Sequence, residues 1–267
     1  MSTQDKGFFK RLNLRFPWLK LVAVVVIGLI IILDLLDLTI SRTGELGRRV
    51  KTPMSRHVKV TERELKGKKL VALTFDDGPS ADTTPELLDI LTEKDAVATF
   101  FMLGSMADAN PKIAKRIKRN GHEVASHTMY HQNLVMIPYD SVESDIDVAK
   151  AVFRDILGNS PRLTRPPYGN FDEDVLDLAG TPIILWSVDP QDWRYKDAEI
   201  VVDNVMSQVH DGAIILLHDV HPSTVKAIPK LIDTLRESGY EVATISEMAK
   251  IRNTRLKTGR AYYSLKP

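Results

Sequence analysis

No cysteine occurs in the 267 residues. That absence removes disulfide staples, thiol nucleophiles, iron–sulfur clusters and cysteine-rich zinc folds, so any metal must be held by histidine, carboxylate or water. Net charge is nearly absent as well: 36 Lys and Arg stand against 35 Asp and Glu, a formal +1. A nucleic-acid partner, whose footprint demands a strongly basic surface, is not expected, and nothing in the sequence calls for an obligate protein partner. The apolar fraction of 43% and charged fraction of 27% are ordinary, which excludes disordered and fibrous classes. The length allows one large domain or two small ones.

The neutrality is an average of two unlike parts. Residues 1–69 carry fifteen Lys and Arg against six Asp and Glu, +9, whereas residues 70–267 carry 21 against 29, −8. The basic part contains the apolar run Leu21–Leu33. Thirteen residues make a helix of about 20 Å, short of a hydrocarbon core of roughly 30 Å. Counting from Trp18 to Leu38 supplies the length if Lys20 snorkels to one interface and Asp34 and Asp37 lie at the other. A cleaved signal peptide has a core this short, but no small-x-small cleavage site follows; a buried helix is the other alternative. The reading is a basic segment at 1–17, an uncleaved transmembrane anchor at 18–40 and a basic stalk at 41–69. Basic residues flank the span on both sides, so their count does not orient it.

From Leu70 the chain alternates short apolar runs with longer amphipathic stretches. Strands are expected at 70–75, 97–102, 122–126, 162–165, 182–188, 213–218 and 240–245, and Gly121, Gly158, Gly180, Gly212 and Gly239 fall where helix caps belong. Seven β-then-α units imply an α/β fold: a distorted, incomplete (β/α) barrel of about seven parallel strands over 70–251, with an open doubly wound sheet as the alternative. Residues 252–267 read as a basic tail.

Polar groups gather at the expected strand ends. Asp76 and Asp77 end the first strand, His127 follows the third, Arg165 ends the fourth, Asp189 and Asp192 follow the fifth and His218 ends the sixth. Barrel enzymes place their chemistry there. His127 and His131 stand four apart, which on a helical turn puts both on one face, within reach of one metal. Two His and one Asp leave open positions for water, the pattern of a catalytic site. Adjacent Asp76 and Asp77 point in different directions, so one can bind metal while the other faces a water. Singly, each feature also suits a satisfied loop histidine, an Asp-Asp-Gly turn, a surface ion pair or a core tryptophan.

Together the segments TFDDGP (74–79), SHTMYH (126–131), RPPYG (165–169), DPQDW (189–193) and LLHD (216–219), supported by TPELLDIL and ATFF, resemble the NodB-homology polysaccharide deacetylases, carbohydrate esterase family four, over residues 70–250. The resemblance implies a metal triad of Asp77, His127 and His131 holding one divalent ion, Zn²⁺ or a similar ion such as Co²⁺. It implies Asp76 as general base and His218 as general acid, with Arg165 orienting Asp76 and Asp192 orienting His218. Tyr168 would offer a backbone N–H to the oxyanion, and Trp193 and Leu216 would line a pocket for the acetyl methyl. The expected activity is removal of N-acetyl groups from N-acetylglucosamine in a cell-wall glycan, peptidoglycan foremost. Another surface glycopolymer, an O-acetyl xylan-type esterase and a non-catalytic glycan-binding module are the alternatives. A wall substrate would orient the anchor with the catalytic domain outside the cell membrane.

Overall fold

The computed structural model describes residues 65–267. The basic segment 1–17, the anchor expected at 18–40 and the stalk up to residue 64 lie outside the described residues. Among the described residues no helix is long and apolar enough to cross a membrane.

The chain winds as β1 (Lys69–Asp76), α1 (Thr84–Glu93), β2 (Thr99–Met102), α2 (Gly104–Ala109), α3 (Pro111–Arg119), β3 (Glu123–Ser126) and the long α4 (Tyr139–Leu157). It continues through α5 (Glu173–Leu178), β4 (Ile183–Ile184), α6 (Asp192–Tyr195), α7 (Ala198–Gln208), β5 (Ala213–His218), α8 (Pro222–Glu237), β6 (Tyr240–Val242), α9 (Ile245–Ile251) and β7 (Ala261–Tyr262). The main sheet runs β3-β2-β1-β5, every named pairing parallel, with β6 joined to the start of β1. Single parallel bridges carry the ring onward from Ser126 to Thr164 to Ile183, and from Val188 back to Ile215 on β5. The sheet therefore curls toward closure and is not an open doubly wound sheet.

Period-two alternation divides β1 between two cores. Val71, Leu73 and Phe75 face the helices and pack with Leu87, Leu91, Ile228 and Leu231. Leu70 and Ala72 face inward, with Phe101, Ala125, Ile184, Ile214 and Ala243. Strands buried on both faces read as continuous apolar runs, and small inner residues suit a narrow ring. Going up the inner face of β1, Leu70 and Ala72 give way to Thr74 and Asp76, so the interior turns polar at the C-terminal mouth.

Two expectations need correction. The run 162–165 is not a strand but one bridging residue, Thr164, which pairs with Ser126 on one side and Ile183 on the other, because Pro161, Pro166 and Pro167 strip the flanking amides a longer ladder would use. The segment from Arg252 is folded against the domain and is not a free tail: β7 pairs with β4, Leu265 is buried in the inner core, and its N–H reaches Gly212 O at 2.8 Å. At the other end Leu65, inside the expected stalk, joins the same core.

Candidate active site

Asp76 and His218 are direct register partners on β1 and β5, and both face inward at the mouth. A one-residue slip would turn them into the helix layer. Asp76 is buried, and Arg165 Nη1 donates to its Oδ1 at 2.6 Å. The same guanidinium donates to Thr74 Oγ1 at 2.9 Å and to Ile184 O and Leu185 O at 3.0 Å each, and it stacks 4.0 Å from the Phe101 ring centroid. A fully buried arginine with every face occupied holds one carboxylate oxygen and leaves Oδ2 directed at the cavity. Burial raises the Asp76 pKa, opposed by the charges of Arg165 and His218.

Asp77 follows in the left-handed region at φ 75, which folds its carboxylate back over the mouth. Gly78 comes next because nothing larger fits: a Cβ there would lie 2.2 Å from the Asp219 carboxylate. Asp77 Oδ1 lies 3.5 Å from His127 Nε2 and 3.3 Å from His131 Nε2. The three candidate ligand atoms lie within 4.8 Å of one another. Asp77 Oδ1 is buried and accepts no hydrogen bond. His127 Nδ1 sits 2.7 Å from Arg165 O, a partner that can only accept, so the proton is on Nδ1 and the Nε2 lone pair faces Asp77 and His131. Burial pushes the His127 pKa down to about 3, keeping the imidazole neutral. An orphaned carboxylate oxygen between two aimed imidazole nitrogens fits a divalent cation, and this donor set needs no thiol.

The two histidines are not on a helix, as their spacing suggests. Residues 127–131 form a loop with Thr128 at φ 71 and His131 at φ 57. The loop is held from outside by Asp145 of α4, whose buried carboxylate accepts from Met129 N at 2.7 Å and Tyr130 N at 3.3 Å.

Across the mouth, Asp192 is fully buried at the start of α6. It accepts from His218 Nδ1 and His218 N at 2.8 Å each, Thr224 Oγ1 at 2.7 Å and Trp193 N at 2.9 Å. Burial alone would raise the Asp192 pKa, but the bonds and charge of His218 hold it below the usual range. Burial likewise disfavours a charged His218, yet Asp192 keeps its pKa up at about 9. The imidazolium is thus the neutral-pH form, with Nε2–H free to face the cavity.

A cavity of about 500 Å³ is lined by Asp76, Asp77, His127, His131, Tyr168, Trp193, Leu216 and His218. Arg165 and Asp192 stand directly behind it. All ten residues singled out from the sequence thus converge on one mouth. Tyr168 sits at φ 61 with its ring 4.8 Å from that of His131. Trp186, Asp189 and His221 also line the cavity. Of these, the sequence reading placed only Asp189 at a strand end. Asp145 and Thr224 were missed because each is an ordinary helix residue whose partner lies far away along the chain. Asp219 was visible only as the last letter of LLHD; its carboxylate accepts from Thr84 Oγ1 at 2.5 Å, and burial raises its pKa to about 7.

The fold and site define a class: an incomplete (β/α) barrel with a two-histidine, one-carboxylate cluster at its mouth, beside the buried Asp76 and the Asp192-paired His218. A polysaccharide deacetylase family model matches residues 63–181. The chain is 35% identical over 203 residues to a chitooligosaccharide deacetylase of Bradyrhizobium sp. (strain ANU 289), covering 69% of this chain and 93% of that one. It is 42% identical over 208 residues to the peptidoglycan-N-acetylglucosamine deacetylase PgdA of Listeria monocytogenes, covering 77% of this chain but 44% of that protein. The chain therefore spans less than half the length of that relative. A family 4 acetyl xylan esterase from Clostridium thermocellum, solved with a cobalt ion, superposes with a TM-score of 0.70 at 32% identity, covering 73% of this chain and 98% of that one. The chain belongs to the polysaccharide deacetylase family.

Proposed function

We propose that this chain removes N-acetyl groups from N-acetylglucosamine residues of a cell-wall glycan, peptidoglycan foremost, using one divalent ion, Zn²⁺ or a similar ion such as Co²⁺. The observation that carries the reading is that Asp76 and His218, register partners on neighbouring strands, line one cavity with the Asp77–His127–His131 cluster, which would give a scissile amide held there a base and an acid. The cation supplies polarisation of the acetamide carbonyl and acidification of a water. Asp76 Oδ2, freed by the Arg165 clamp on Oδ1, takes the proton of the attacking water. The backbone N–H of Tyr168 donates to the carbonyl oxygen as negative charge develops on it. His218 gives its Nε2 proton to the departing nitrogen as the carbon–nitrogen bond breaks, leaving acetate and a free amine. Leu216 and Trp193 enclose the acetyl methyl.

The anchor read at 18–40 would hold the domain at the cell membrane with its mouth toward the wall. Support comes from an apolar run between basic segments and from a substrate class found outside the cell. The test is acetate release by the full chain from N-acetylglucosamine oligomers and wall glycan. Asp77→Ala and His131→Ala are expected to lower it at least about 10³-fold, and exhaustive chelation to abolish it reversibly. Undiminished turnover after chelation overturns the metal mechanism. The structural likeness to an acetyl xylan esterase favours one second reading, O-deacetylation, since the same groups can attack an ester. Faster acetate release from acetylxylan than from the oligomers would select it.

A further inference from the structure

A second depression of about 440 Å³ adjoins the catalytic cavity, and the two share His221. The His221 ring lies 5.7 Å from that of His218, so whatever fills the second groove lies beside the reacting group. Its rim carries Lys196, at the end of α6, and Lys226, on α8, with Ser223 between them. Neither lysine has a hydrogen-bonded or ion-paired acidic partner among the described residues. One carboxylate residue, Asp197, lines the groove with them, its side chain taken up by backbone N–H groups. Asp197 caps α7, accepting from Glu199 N at 2.9 Å and Ile200 N at 3.1 Å, and Glu199 pairs with Lys230, one turn beyond Lys226. Lys196 caps the C-terminus of α6 at φ 50, its N–H bonded to Asp192 O at 3.2 Å, so its backbone is fixed beside the groove. Two unpaired ammonium groups stand out in a part of the chain that carries −8 over residues 70–267 and whose catalytic cavity is lined by Asp76, Asp77 and Asp189.

We propose that this groove is a subsite for a carboxylate carried by the glycan, on the sugar being deacetylated or on its neighbour. The proposal rests on the deacetylase reading above and deepens it, by selecting acidic glycans over neutral ones. Lysines act as point charges and ask for no bidentate geometry, which suits a lone carboxylate on a flexible substituent. Two sources share this chemistry: the lactyl acid of a muramic sugar, and a carboxylate of a peptide attached to it.

The experiment uses the full chain and measures binding by calorimetry as well as kcat/KM for acetate release. The probes are the disaccharide of N-acetylglucosamine and N-acetylmuramic acid, its methyl ester, and the same disaccharide bearing a peptide. The acid is expected to bind at least about tenfold more tightly than the ester at low salt, and the margin should shrink as salt rises. Lys196→Gln with Lys226→Gln should bring acid and ester within about twofold of each other, whereas Lys230→Gln should leave the margin intact. A preference confined to the peptide-bearing probe assigns the carboxylate to the peptide; one already present in the disaccharide assigns it to the lactyl group. Equal binding of all three probes, or a margin that survives the double substitution, overturns the subsite. A lysine-dependent binding margin without acetate release from any probe would sink the enzymatic reading and leave the subsite standing. Acetate release with no margin would do the reverse.

Discussion

At the scale of single residues, Asp192 sets the working range of His218. In the folded protein the histidine titrates near 9, above its ordinary 6.5, because Asp192 holds Nδ1–H at 2.8 Å. A raised pKa means that this pair stabilises the fold fully below about pH 6.5 and loses that contribution as pH rises through about 9. Replacing Asp192 with Asn should move the His218 pKa toward 6.5. The alkaline limb of kcat/KM should shift down by about two pH units, and the stability loss between pH 7 and 10 should flatten. Histidine NMR titration checks the first and a pH series of thermal midpoints the last; an unmoved limb would show that Asp192 does not set the range. Arg165 poses the complementary case. Arg165→Met leaves the Asp76 carboxylate buried without its partner, and breaking such a pair costs about 3–5 kcal/mol. Urea unfolding of the variant should show a loss of that size at neutral pH, and it should shrink in acid, where Asp76 is protonated.

At the scale of elements, the legible parts were those whose signal is local. β1 and β5 are apolar runs ending in charged groups, and both stand where alternation and strand-end chemistry place them. RLTR has the same look but sits between prolines, so its pairing is cut to one position: Thr164 bridges Ser126 on one side and Ile183 on the other, with Leu163 O and Arg165 N bonded to Ser126. The histidine pair shows a subtler gap. Four-residue spacing suggests a helical face, yet the same two nitrogens reach one point from a loop with two left-handed residues. What fixes that loop is Asp145, fourteen residues beyond His131 and in no motif. Its two bonds to Met129 N and Tyr130 N make it a positioning residue for a cation it does not touch. Asp145→Ala should weaken metal affinity by about 10–100-fold. Asp145→Asn should fall between, since an amide oxygen can still accept one of the two N–H groups. Competition with a calibrated chelator measures both, and equal affinities for wild type and Asp145→Ala would remove the residue from the metal's support.

At the scale of the whole molecule, the ring is closed by a segment that composition disguised. RNTRLKTGRAYYSLKP is basic and has no apolar period, so ending the domain at residue 251 looked natural. In the fold, Ile183 N and Leu185 N donate to Arg260 O and Tyr262 O across the β4–β7 pair, and Ser264 bridges Ala213 on β5. Gly212 is what lets the chain approach so closely, since a Cβ there would lie 2.3 Å from Leu265 O. The wedge thus fills the gap between β4 and β5 at the end of the ring opposite the mouth, while Val188 and Ile215 close it nearer the mouth. Leu265→Ala deletes a buried side chain and should cost about 2–5 kcal/mol, a fall in Tm of roughly 10 °C for a domain of this size. Ending the chain at Ile251 removes that side chain together with both donors' acceptors, a loss comparable with the about 5–15 kcal/mol total stability of an ordinary domain. That shortened chain should show no cooperative melt and release no acetate, whereas Leu265→Ala should keep a cooperative melt and most of its turnover below its midpoint. A shortened chain that melts like the full one would mean that the ring is held by the single bridges alone.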